Sequence, residues 1–197
     1  MKKMILLGAL ILSAAAAYAQ ESRQDVSVSG FDLIGPQVNG NAVVLKPSNT
    51  VGVLASYRFL LTPRSALELN YSWAQNTDYY QCCGNYTRNP IHARQQEISG
   101  AYVFGLSFKN YNPFVEAGVG ALIFTPIQQG TYSLDAKQST NIGGVFGGGL
   151  AYELSPSFDI RAEYRGFVVK APSFLSTFQT SRYEVVSMPA IGIAYHF

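Results

Sequence analysis

Cys82 and Cys83 stand side by side in the stretch YYQCCGNYTRN and are the only cysteines of the chain. Neighbouring Cα atoms lie about 3.80 Å apart, short of the roughly 4.4–6.8 Å that a disulfide ordinarily spans, so a bond between them would be strained. An oxidising compartment would favour a vicinal disulfide at Cys82 and Cys83 all the same, and a free or intermolecular pair stays open beside it. His92 adds a third ligand at no recognised metal spacing, so no metal site is expected. His196 is the only other histidine, and no nucleophile with an orienting partner accompanies either of them in the sequence. The glycines of IGGVFGGG fall within an alternating stretch, where they permit bends and close packing rather than cradle a phosphate. The expectation is a protein without catalytic residues, cofactor or metal, and not an enzyme.

More informative are charges that recur at every second position. FDIRAEYRGF (158–167) sets Phe158, Ile160, Ala162 and Tyr164 against Asp159, Arg161, Glu163 and Arg165. Arg58, Glu68, Glu97, Glu116 and Glu153 alternate with apolar neighbours in the same way. Strand side chains alternate between faces, so all these charges lie opposite an apolar face. Enclosed ions without partners cost several kcal/mol, which means that an interior of this kind must be a network of pairs. Arg58, Glu68, Glu97, Glu116, Arg161, Glu163 and Arg165 are its expected members. A narrow, gated path for water or small ions along the same residues is the alternative.

Eight period-2 segments can position such a face: 24–35, 50–60, 66–75, 96–105, 112–124, 141–154, 158–167 and 182–197. In the first, Val26 and Val28 fall on one parity but Phe31 and Leu33 on the other, which suggests a bulge near Gly30. The connections alternate in length. Long ones (36–49, 76–95, 125–140, 170–181) fall at one end and short ones (about 61–65, 106–111 and 155–157) at the other, with both termini. Long loops on one side, tight turns on the other and an even strand number describe an all-β fold, an eight-stranded antiparallel up-and-down transmembrane β-barrel. Eight strands enclose a lumen that side chains fill, which favours the plug over the path. Aromatic belts agree, with Tyr57, Phe59, Phe104, Phe114, Tyr152, Phe158, Tyr195 and Phe197 toward the turns. Tyr71, Trp73, Phe124, Phe167 and Tyr183 map toward the loops; most of these aromatics point to the apolar face, and Phe114 breaks the pattern by pointing inward.

The amino end, MKKMILLGALILSAAAAYAQ, has two lysines, a short apolar stretch and small residues at Ala17 and Ala19. That pattern is a secretory signal over residues 1–19, with the barrel domain over 20–197. Setting Lys2 and Lys3 aside leaves twelve basic residues against twelve acidic ones, so nothing points to nucleic acid. No later apolar run approaches the roughly 20 residues of a spanning helix. A closed barrel is the other structure that satisfies its backbone in lipid.

The leader, the eight strands, FDIRAEYRGF and the closing IGIAYHF together resemble the OmpA-type outer-membrane β-barrel domain family, over essentially the whole mature chain. The resemblance implies a place in the outer membrane of a Gram-negative bacterium and contact with its lipid, and the barrel is expected to be monomeric or weakly associated. It also implies that Phe197, with Tyr195, Ile193 and Ile191 at alternate positions before it, is read by the barrel-assembly machinery. The sequence closes on that strand, so no periplasmic peptidoglycan-binding domain and no wall-tethering role are expected. Outer-membrane lipid A deacylases are similar in size, but the His-x-Ser-Asn stretch is absent here. The expected function is an integral scaffold with a closed, charged interior that displays four external loops. Its alternatives are the narrow pore, and surface binding or adhesion through the second loop, where Asp78, Tyr79, Tyr80, Asn85 and Tyr86 offer adaptable contacts. No extracellular ligand is specified by the sequence.

Overall fold

The computed structural model describes residues 23–41, 43–82, 89–127, 137–172, 174 and 180–197, except for the side chains of Cys82 and Asn89. The leader, Cys83, Asn85 and Tyr86 lie outside the described residues, as does the question of a vicinal disulfide.

Among the described residues the fold is entirely antiparallel strands: β1 (Gln24–Leu33), β2 (Val38–Gly40), β3 (Val43–Pro47), β4 (Thr50–Thr62), β5 (Ser65–Cys82), β6 (Asn89–Gly105), β7 (Tyr111–Pro126), β8 (Ser139–Ser155), β9 (Phe158–Lys170) and β10 (Tyr183–His196). Eight of them close a ring in the order β4-β1-β10-β9-β8-β7-β6-β5, with β5 returning to β4. The ring is sealed where β1 meets β10, with Asp25 opposite His196 and Phe31 opposite Ala190. Phe197 donates its backbone N–H to the carbonyl of Gln24 at 3.0 Å, which ties the two ends together.

Two expected loops are largely strand. The segment 36–49 contains the β2–β3 hairpin, and β3 adds to β5 beyond the end of β4, from Pro47 opposite Asp78 to Val43 opposite Cys82. The segment 76–95 is mostly the continuation of β5 and β6, which pair as far as Tyr80 opposite Asn89. The physical reason is a reversal of amphipathic sense. On the turn-side part of β6, Ile98, Tyr102 and Phe104 point outward and are exposed, while Glu97 and Ser99 are buried. Beyond them Ile91 and Ala93 are buried, while His92 and Arg94 lie on the outward parity. The alternation persists, but the greasy face changes sides, and a search for one continuous apolar face stops there.

The same reversal removes the bulge expected near Gly30. β1 runs in unbroken register against both neighbours, with Val26 and Val28 outward and Phe31 and Leu33 inward. Their opposite parity marks a change in what lies inside, not a kink.

The outward band is apolar: Val28, Val53, Leu69, Ile98, Val119, Ile142 and Ile193 are each more than half exposed. A monomer in water rarely carries so large an apolar surface, whereas lipid requires one. On β5 this band runs from Leu67 through Trp73 and gives way to Gln75 and Thr77. With 18 residues, β5 is far longer than the roughly 9–11 needed to cross a bilayer, so its last part and the β2–β3 hairpin stand clear of it. Phe158 and Tyr195 (5.0 Å between ring centroids) and Tyr57, Phe59 and Phe104 mark the turn-side rim. Tyr71, Trp73 and Tyr183 mark the loop-side rim. Phe124 and Phe167, expected in that second belt, are instead buried inside the barrel.

Candidate functional site

The barrel interior is built in two tiers, and β9, β1 and β7 change chemistry between them. From the turn side, the inward residues of β9 read Asp159, Arg161, Glu163 and Arg165, then Phe167 and Val169. Those of β1 read Asp25, Ser27 and Ser29, then Phe31 and Leu33; β7 turns from Phe114 and Glu116 to Leu122 and Phe124.

The turn-side tier is a chain of ion pairs. Arg58 Nε donates to Glu68 at 2.7 Å. Arg161 lies between Asp25 at 3.2 Å and Glu68 at 4.0 Å, and also donates to Ser27. Arg165, completely buried, reaches Glu116 with Nε at 2.9 Å and Glu97 at 3.0 Å. Ser72 and Ser99 donate to the two oxygens of Glu97. Phe114, the aromatic that broke parity, faces the guanidinium of Arg58 at 4.7 Å and that of Arg161 at 5.7 Å, a cation–π arrangement made in the interior. Six of the seven expected network residues thus meet in direct pairs. Glu163 is buried on the same face, but no direct ion pair joins it to a described residue.

Asp25 is the member that the sequence reading missed. It shares parity with Ser27 opposite Val26 and Val28, so the signal was present in a strand whose second half obscured it. Asp159 bonds His196 Nε2 at 2.8 Å beside a cavity of about 150 Å³ at the turn-side mouth, while Glu153 is only partly buried.

Glycines on β8 make room for this tier. A Cβ on Gly149 would lie 2.5 Å from the Ala162 carbonyl oxygen, 2.7 Å from the Phe114 ring and 2.8 Å from Glu163 Cβ. Backbone cannot yield as a flexible side chain would, so Gly149→Ala should destabilise by about 1–3 kcal/mol through overpacking. A fall in the urea midpoint of the vesicle-inserted protein is the check.

Above it lies an apolar tier. Leu45, Leu54, Leu122, Phe167, Val169, Met188 and Tyr80 are almost wholly excluded from solvent in one cluster with Phe31, Phe124 and Phe174. Phe174 meets Tyr80 and Phe124 edge to face at 6.2 and 6.4 Å, and the Tyr80 hydroxyl donates to the Pro172 carbonyl at 3.2 Å. Asp78 and Tyr80, expected on a binding loop, are therefore interior residues of β5, and Tyr79 is partly buried on the opposite parity. Among the described residues, Asn76, Asp78, Gln95 and Glu184 are polar side chains that interrupt this tier around one cavity. Burial pushes the Asp78 carboxyl up to about 7, against the smaller opposing effect of a hydrogen bond from Asn76.

His92 bonds Thr77 Oγ1 through Nδ1 at 2.9 Å, on the outer side of the strands. Among the described residues no group of three or more His, Cys, Asp or Glu side chains converges as metal ligands. Ile191 and Ile193 are exposed on the lipid face, and Tyr195 stacks with Phe197 at 6.0 Å.

Residues 4–197 match the family described as outer membrane protein beta-barrel domain. The chain belongs to that family. No curated protein matches it significantly in sequence. Among solved structures, this outer-membrane barrel is similar to neisserial surface protein A at 14% identity and a TM-score of 0.64, over 89% of this chain and 98% of that one. It is also similar to OprG of Pseudomonas aeruginosa (12% identity, TM-score 0.61, 91% and 98% covered). A third is Ail, the attachment invasion locus protein of Yersinia pestis, in complex with the heparin analogue sucrose octasulfate (17% identity, TM-score 0.53, 90% and 100% covered). At these identities the likeness carries the fold. The outer-membrane barrel family places the protein in the outer membrane, which in turn sets the long, loop-side end outward and the turns toward the periplasm.

Proposed function

We propose that this barrel is a closed, non-catalytic scaffold that anchors external loops in the outer membrane and does not conduct. The observation that supports it best is the apolar tier, a filled cross-section of Leu, Val, Met and aromatic side chains stacked above a filled cross-section of ion pairs. Ions need a continuous polar or watered path to cross, and in the outer half the polar side chains Asn76, Asp78, Gln95 and Glu184 gather around one cavity of about 20 Å³ walled by apolar residues. The exposed apolar band takes lipid as its partner, the protein works as a monomer, and Ile191, Ile193, Tyr195 and Phe197 are the segment presented to the assembly machinery. Residues 1–19 act as the cleaved export signal.

The test is conductance in a planar bilayer. The refolded wild type should give no discrete steps. Reproducible small steps that change with Arg161→Ala would overturn the closed reading in favour of a pathway along the charged tier.

A further inference from the structure

The polar residues stranded in the apolar tier form a group of their own. Asp78 and Glu184, on β5 and β10, line one cavity of about 20 Å³ together with Asn76 and Gln95. Asp78 is 2% exposed, Asn76 7% and Glu184 7%, and no described cation pairs with either carboxylate. Asn76 donates its amide N–H to Asp78 Oδ1 at 3.1 Å. That leaves the second oxygen of Asp78 and the carbonyl oxygen of Asn76, both buried, without a partner among the described residues. The cavity is otherwise lined by Gly35, Pro47, Ser48, Pro172 and the apolar Leu33, Leu45, Phe124 and Val186, and none of them hydrogen-bonds either oxygen.

We propose that this cavity is a binding site for one hard divalent cation, of which Ca²⁺ fits best. Three arguments converge on it. Two carboxylates with no counter-ion in an apolar setting carry a heavy desolvation penalty, and one divalent cation neutralises both at once. The free donors are all oxygen, from two carboxylates and a side-chain carbonyl, which is the ligand set of Ca²⁺ or Mg²⁺ and not of a softer metal. Lastly, the cavity holds one occupant of water size, since about 10–15 Å³ suffices for a single water. Ca²⁺ tolerates an irregular shell where Mg²⁺ demands an octahedron, and strand-borne ligands from two sides of a barrel give the former. The site lies in the end of the barrel that stands outside the lipid band. Its occupation would cross-link β5 to β10 across the mouth.

Terbium and calcium serve as probes, with the protein refolded into phosphatidylcholine vesicles, whose zwitterionic lipid competes little for cations. Tyr80 sits two residues along β5 from Asp78 on the same face and can sensitise bound Tb³⁺. Tb³⁺ emission should saturate at one ion per chain and be displaced by Ca²⁺ with an affinity of about 10⁻⁴–10⁻³ M, typical of extracellular calcium modules. Ca²⁺ should also raise the thermal unfolding midpoint. Asp78→Asn and Glu184→Gln keep the shape and remove the buried charge, so both should fold at least as well without Ca²⁺. Each should lose affinity by at least about tenfold. A wild type with no Ca²⁺-displaceable Tb³⁺ signal and no Ca²⁺-dependent midpoint would overturn the site, leaving two carboxylates that simply hold protons. Full retention of both effects in the two variants would overturn it as well, by placing the cation elsewhere.

Discussion

Arg165→Met should lower the stability of the inserted barrel by about 3–5 kcal/mol, the range for removing one partner of a buried pair. Arg165 is wholly enclosed and bonded to Glu97 and Glu116, so its loss strands two carboxylates in a place that water does not reach. The triple change Arg165→Met, Glu97→Gln and Glu116→Gln should regain most of that loss, because it removes the charges that had become unpaired. Urea unfolding in vesicles, followed by tryptophan fluorescence from Trp73, measures both. Equal stability of the single variant and the wild type would mean that Glu97 and Glu116 find other counter-charges, and that Arg165 does not hold the tier together.

Phe167→Ala should produce a loss of similar size, about 3–5 kcal/mol, from a cavity in the apolar tier. Phe167 is fully buried and belongs to the same cluster as Phe124, Leu122 and Met188. Its neighbours stand on a hydrogen-bonded ring of strands and can collapse inward only a little. The two tiers act in series, which separates their roles in closure. Neither Phe167→Ala nor Arg165→Met alone should conduct, since each leaves the other tier intact. The double variant should leak in the planar bilayer. Conductance from either single variant would identify that tier as the sole barrier.

Much of the membrane part of this fold was legible in the sequence because lipid outside and charge inside make the two faces of a strand as different as they can be. Leu67, Leu69, Tyr71 and Trp73 against Glu68, Asn70 and Ser72 leave no doubt about strand or facing. The charged tier was legible for the same reason. Its pairing was not, because Arg165 meets Glu97 and Glu116 through the tilt and stagger of strands that no single-strand pattern encodes. The outer tier escaped because the solvent changes from lipid to water midway along β5 and β6. There Asn76, Asp78 and Tyr80 take the inner face, and outward residues such as Gln75 and Thr77 look like loop. Phe124 and Phe167 were assigned to a lipid belt on depth alone, although their parity with Leu122 and Arg165 placed them inside.

A strand whose apolar residues face outward at one end and inward at the other has a consequence for how the protein enters its membrane. On the periplasmic side, the lipid-facing end of each strand would be exposed to water, and the outer end would lack the seven companions needed to bury its inward residues. The outer core can therefore assemble only after the strand tips have crossed, when Phe31, Phe124, Phe167 and Tyr80 arrive in one place. Its condensation on the far side withdraws apolar side chains from water in a space that the periplasmic route no longer reaches. The cap then works as a latch, and backing out would require unfolding it first.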